Sequence, residues 1–120
     1  MTRPPEYVYN LVGSKLPGFW PEFFRKARAT FGPQTRVTSW WRNPHANLDV
    51  NGVDDSQHLV GGALDLVDPD MGALAARARA AGWGFVLSES DHLHVQAYPA
   101  SSNVRLFVRW VVRNYVERLA

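Results

Sequence analysis

The sequence predicts an α+β domain: a small, mainly antiparallel sheet flanked by helices. Three observations lead there. Four short runs at residues 36–40, 63–67, 85–87 and 93–98 read as strands, the first of them rich in β-branched and aromatic residues. Helical spacing of apolar residues occurs at 21–31, 71–81 and from about 101 to 119. The last two strand-like runs are separated by the short Ser88-Glu89-Ser90-Asp91 connection, which suits an antiparallel hairpin. Helices set around such a sheet make an α+β arrangement.

Each element has a local reason. In residues 21–31, Phe23, Phe24, Ala27 and Phe31 share one helix face, and Gly32-Pro33 stops the helix. The strand over 36–40 follows. Residues 43–57 carry Asn, Asp, Pro and Gly at many positions and predict a long polar loop, a length commonly tied to function. Residues 63–67 form the second strand, with Asp65 alternating against apolar neighbours. Asp68-Pro69-Asp70 can cap the helix over 71–81, which ends at Gly82. Ser101-Ser102-Asn103 offers a cap for the last helix. There Arg105, Arg109 and Arg113 line up at i, i+4, opposite Leu106, Val108, Val111, Val112, Tyr115 and Leu119.

The bulk numbers narrow the classes. A length of 120 residues fits one domain, residues 1–120, and 46% apolar content is that of a chain with a core. With no cysteine, disulfides and thiolate metal sites are excluded, so any metal must be held by His, Asp, Glu or backbone. No apolar run reaches the roughly 18 residues needed to span a bilayer. The start, Met1-Thr2-Arg3-Pro4-Pro5-Glu6, lacks the apolar segment of a secretory signal, so synthesis in the cytosol is expected. Net charge is +2 but unevenly placed: the last 16 residues hold Arg105, Arg109, Arg113 and Arg118 against Glu117 alone. Such an end is either a solvated helix face or a contact for anionic polymers such as cell wall, lipid surface or nucleic acid.

Chemistry concentrates in two segments, Ser56-Gln57-His58 with Asp65, and Asp91-His92-Leu93-His94. Imidazole and carboxylate ligands brought together from two segments suit a zinc ion with one open position, where water becomes a nucleophile near neutral pH. Gly61-Gly62 lets the chain turn back so that His58 and Asp65 can point at one ion. His92 and His94 lie two apart on a strand and project from one face; either could ligate, and both could border the site. Asp91 stands at the strand mouth. A carboxylate inside an apolar strand, as Asp65 is, costs too much unless it is paired or metal-bound. His45 lies in the polar loop and reads as structural or exposed.

The register Ser56-x-His58-x-x-Gly61-x-Ala63-x-Asp65, followed by Asp91-x-x-His94 and the His92-x-His94 pair, resembles the M15 zinc peptidases. These are D-Ala-D-Ala carboxypeptidases and phage endolysin L-Ala-D-Glu peptidases, of a fold shared with lysostaphin and hedgehog metal sites. Ser39-Trp40-Trp41-Arg42 is similar to the family's Ser-x-x-Arg segment. The resemblance covers about residues 37–96. It implies that His58, Asp65 and His94 bind Zn2+, that Asp91 is the general base with Glu89 as rival, and that His92 assists the transition state. It further implies that Arg42 polarises the scissile carbonyl or holds a substrate carboxylate, and that Ser56 and Gln57 touch substrate. Trp40 and Trp41 are candidate groove residues, although alternation along the strand favours the core for at least one of them.

The implied activity is hydrolysis of a peptide bond in peptidoglycan stem peptides, D-Ala-D-Ala or L-Ala-D-Glu, with no nucleic-acid partner. A lysin released to the wall, its basic last helix touching an anionic polymer, is one setting; a cytosolic dipeptidase is another. The alternative is a catalytically silent zinc-binding interaction module of the same fold, against which Asp91 and Arg42 speak. An HNH nuclease would need a further His on a downstream helix, and none follows His94.

Overall fold

In the computed structural model, which describes residues 3–50 and 52–119 with side chains through residue 116, four strands build one sheet. These are β1 (Arg36–Ser39), β2 (Ala63–Val67), β3 (Phe85–Ser88) and β4 (Leu93–Gln96). Their order is β1-β2-β4-β3, and each pairing is antiparallel. Around the sheet lie α1 (Glu6–Lys15), α2 (Phe19–Thr30), α3 (Pro44–Asp49), α4 (Met71–Ala80) and α5 (Ser102–Leu119), plus a 3-10 turn at Gln57–Val60. The fold is α+β, as the sequence predicts.

Register divides the sheet into two faces. Leu64 pairs with Val95 and Leu66 with Leu93, so these four buried side chains point together into the helices. Phe19, Phe23 and Ala27 of α2, Leu74 and Ala78 of α4, Val8 and Val12 of α1, and Val108 and Val111 of α5 complete that core. Burial of large aliphatic and aromatic side chains at about 1.5–3 kcal/mol each is what holds the layers together. On the opposite face, the intervening residues Asp65 and His94 are directly paired. One strand pair thus serves the core with one face and the chemistry with the other.

Several elements differ from the sequence reading. Residues 43–57 are not one continuous loop. Asn43 caps α3, its side-chain oxygen accepting from the Ala46 N–H at 2.7 Å, and Pro44 fills the first helical position. Helix α1 is an addition; only Val8 and Val12, one turn apart, are fully buried along it, and Pro5 before it makes no side-chain cap. Helix α2 begins two residues before the predicted start, at Phe19 after the left-handed Gly18 (φ 84°). Strand β4 stops at Gln96 because Ala97 turns its N–H to the Gly62 carbonyl and Tyr98 to the Gln57 side chain.

Helix α5 shows a further difference. Val108 and Val111 are buried, but Leu106 is 60% exposed, because 100° per residue carries it away from the face those two share. On its polar side Arg109 reaches the Asp55 carboxylate at 3.1 Å, so part of the basic stripe is pinned to the protein body. The side chains of Glu117, Arg118 and Leu119 lie outside the described residues, as do Met1 and Thr2. Among the described residues no helix is long and apolar enough to cross a membrane.

Candidate metal centre

His58 rides on the 3-10 turn, which Ser56 caps by accepting the His58 N–H on its hydroxyl at 3.2 Å. Gly61 ends that turn in the left-handed region at φ 70°, where a Cβ would meet the Pro4 side chain at 2.7 Å. The chain can then reverse directly into β2 and bring Asp65 back beneath His58. His94 arrives from β4 through its pairing with Asp65. The donor atoms of His58, Asp65 and His94 all lie within 4.8 Å of one another.

The hydrogen bonds around these side chains set which atoms face the shared point. His58 Nδ1 donates to the Trp40 carbonyl at 2.5 Å, which leaves Nε2 as the lone-pair nitrogen of the neutral ring, 3.2 Å from Asp65 Oδ1. Gln96 Nε2 donates to the Tyr98 carbonyl at 2.9 Å, fixing its amide so that Oε1 accepts from His94 Nε2 at 2.8 Å. His94 Nδ1 therefore turns toward Asp65 Oδ1, also at 3.2 Å. Two imidazole lone pairs and a carboxylate oxygen converging on one point fit a divalent cation, and the outer hydrogen bonds are those that orient metal-binding imidazoles. These are also the groups zinc takes when no cysteine is at hand.

Electrostatics agrees with the geometry. Asp65 is only 6% exposed, and burial alone would raise its pKa. Without an ion the two rings, when doubly protonated, donate to Asp65 instead of aiming lone pairs at the shared point. Those hydrogen bonds, with the charges of His58 and His92, outweigh burial and hold its carboxyl well below the usual range. For His94, burial works against the charged ring, but the bonds to Asp65 and Gln96 win and raise its pKa.

Arg42 stands at the same carboxylate. Its NH2 group donates to Asp65 Oδ2 at 2.8 Å and its Nε to the Ser39 hydroxyl at 3.1 Å. Arg42 thus claims one oxygen of Asp65 and leaves the other to the two imidazoles. His92 comes within 3.6 Å of Asp65 Oδ1 through Nε2, while its Nδ1 donates to Asp91 Oδ1 at 2.6 Å. The Asp91 side chain is 84% exposed. Glu89 is exposed in the same connection, its backbone N–H bonded to the His92 carbonyl.

Three aromatic or amide side chains from the sequence reading belong to the framework. Trp41 is 7% exposed, donates its indole N–H to the Leu59 carbonyl at 2.9 Å and packs edge-on against Tyr115, so its ring has no face left for a substrate. Trp40 stacks on Phe23 and donates to the Gly61 carbonyl, and its useful group is the backbone oxygen that receives His58. Gln57 is buried, with both ends of its amide bonded to the Tyr98 backbone at 2.6 and 3.0 Å. His45 is exposed on α3, 3.9 Å from Asp49. Gln96 belongs to the site although no motif marks it; its one signal in the sequence is that it follows His94 by two and so lies on the same strand face.

An antiparallel sheet that aims two imidazoles and a carboxylate at one point, with acid and base groups at its rim, has the make-up of a metallohydrolase site. The family model described as Peptidase M15 matches residues 21–96, and the chain belongs to this family. Membership supports a peptidase role. A comparison with curated proteins gave no match.

Proposed function

We propose that this chain is a zinc-dependent peptidase that hydrolyses peptide bonds in peptidoglycan stem peptides. The observation that carries the reading is the His58–Asp65–His94 set, its donor atoms within 4.8 Å of one another, inside a chain of the M15 family. His58, Asp65 and His94 would hold the ion. When bound, zinc supplies a Lewis acid for the scissile carbonyl and acidifies water.

The remaining work falls to residues of the chain. Asp91 has Oδ1 bonded to His92, which leaves Oδ2 to accept a proton from the attacking water. As the new C–O bond forms and the C–N bond breaks, the same carboxyl returns that proton to the leaving amine. His92, when doubly protonated, presents its Nε2–H toward the centre, where negative charge develops on the carbonyl oxygen. Arg42 uses two donors on Ser39 and Asp65; its other N–H groups are what it offers a substrate oxygen.

The test is mass spectrometry of purified muropeptides incubated with zinc-loaded protein, with and without chelator. New products that vanish with chelator and with Asp91→Ala are expected, and their masses name the bond as D-Ala-D-Ala or L-Ala-D-Glu. Intact muropeptides in the presence of stoichiometric zinc would contradict the reading and favour a silent binding module.

A further inference from the structure

Beside the metal centre lies a cavity of about 140 Å³ whose wall includes His94, Gln96, Gln57, Asp55, Val104 and Arg105. It joins β4 to the first turn of α5, and α5 lies beyond the stretch 21–96 that the family model matches. Such a volume takes a small polar group and the carbons that carry it.

The charges here do not cancel once Arg109, which pairs with the wall residue Asp55 from outside the cavity, is counted. Asp55 is largely enclosed and accepts from Arg109 NH2 at 3.1 Å on Oδ2. Arg105 Nε is 4.0 Å from that same oxygen, beyond hydrogen-bond reach, and its side chain is 56% exposed. Two guanidinium groups share one carboxylate, so one positive charge is left over, and the cavity-lining Arg105 carries it. Arg42, the other arginine at the centre, already donates to Asp65 and Ser39. The helix dipole adds to this, since Arg105 sits in the first turn of an 18-residue helix whose positive end faces anions.

We infer that Arg105 is a specificity-determining residue that binds a carboxylate of the substrate in the cavity beside His94. The inference rests on the peptidase reading above and selects within it for an acidic peptide. The carboxylate comes either from an acidic residue or from the chain terminus.

The test uses the full chain loaded with zinc and three forms of one stem peptide: free acid, amidated at the acidic residue, and amidated at the C-terminus. KM and kcat are measured where turnover occurs, and affinity by titration calorimetry in every case. The wild type should prefer the free acid over one of the two amides by about tenfold in KM or Kd, the range of a partly exposed charge-assisted hydrogen bond. Whichever amide is disfavoured identifies the source of the carboxylate. Arg105→Gln should bring that ratio to one, and Arg105→Lys should restore part of it. Arg109→Gln, which leaves the Asp55 carboxylate to Arg105, should lower the ratio, whereas Arg113→Gln, an exposed arginine of the same helix that neither lines the cavity nor pairs with Asp55, should keep the wild-type ratio.

Equal affinity of the wild type for acid and both amides would overturn the inference. So would an Arg113→Gln variant that loses the ratio as fully as Arg105→Gln, since the diffuse charge of α5 and not Arg105 would then set it. Preferential binding without cleavage would instead sink the peptidase reading and leave the carboxylate site standing.

Discussion

Both oxygens of the Asp65 carboxylate are committed: Oδ1 lies 3.2 Å from each of His58 and His94, and Oδ2 takes Arg42 at 2.8 Å. Removing its charge leaves the mostly buried Arg42 guanidinium without its counter-charge and two rings facing a neutral amide. Breaking a buried pair from one side costs about 3–5 kcal/mol. Asp65→Asn in metal-free protein should therefore lose stability of that order at neutral pH, read by urea denaturation. The pH dependence follows from the lowered pKa. Asp65 stabilises the fold fully above the unfolded value of 3.8, and its contribution fades as pH falls through the depressed folded value. The gap between wild type and variant should be widest at about pH 5–6, where His94 is protonated as well, and narrow below the unfolded carboxylate value near 4. His94 has the opposite sign: its raised pKa contributes below 6.5 and ceases to as pH climbs through the folded value. A pH-independent gap, or one under about 1 kcal/mol, would show that Asp65 is not the hub that its bonds suggest.

At the scale of elements, the site depends on how β4 leaves the sheet. The Tyr98 carbonyl receives both Gln57 and Gln96, so one backbone oxygen fixes the turn that carries His58 and the amide that orients His94. Gly84 lies against this segment; a Cβ there would meet the Tyr98 backbone at 2.5 Å, and backbone cannot swing aside as a side chain can. Gly84→Ala should lower unfolding free energy by about 1–3 kcal/mol, the usual cost of overpacking, and an unchanged urea midpoint would contradict this. Much of this scale was legible in the sequence. Strand β2 has the predicted bounds 63–67 because Asp65 alternates against apolar neighbours there, and α4 ends one residue short of expectation. Helix α3 was hidden because six residues with one buried side chain, Asn47, give no apolar period to read. The Asp55–Arg109 contact spans 54 positions and no local pattern announces it. Trp41 misled because an aromatic beside a motif looks the same in sequence whether it faces the groove or the core.

At the scale of the whole molecule, the matched stretch 21–96 contains the sheet, α2 from its third residue, α3, α4 and every donor of the centre, while α1 and α5 pack around it from outside. Helix α1 closes the core with Val8 and Val12, and α5 brings Val108 and Val111 inward and Arg105 to the cavity beside His94. The motif in the sequence located His58, Asp65 and His94; only the fold shows that Trp40 and Gln96 decide which nitrogen of each ring points inward. The claim on which the rest depends is that these three side chains form a zinc site. Zinc-edge X-ray absorption on the protein loaded with one equivalent of zinc tests it most directly. The expected shell is two imidazole nitrogens and oxygen ligands at about 2.0–2.2 Å, lost in His58→Ala. A chain that binds no zinc, or one whose zinc shell is the same without the His58 ring, would contradict the account.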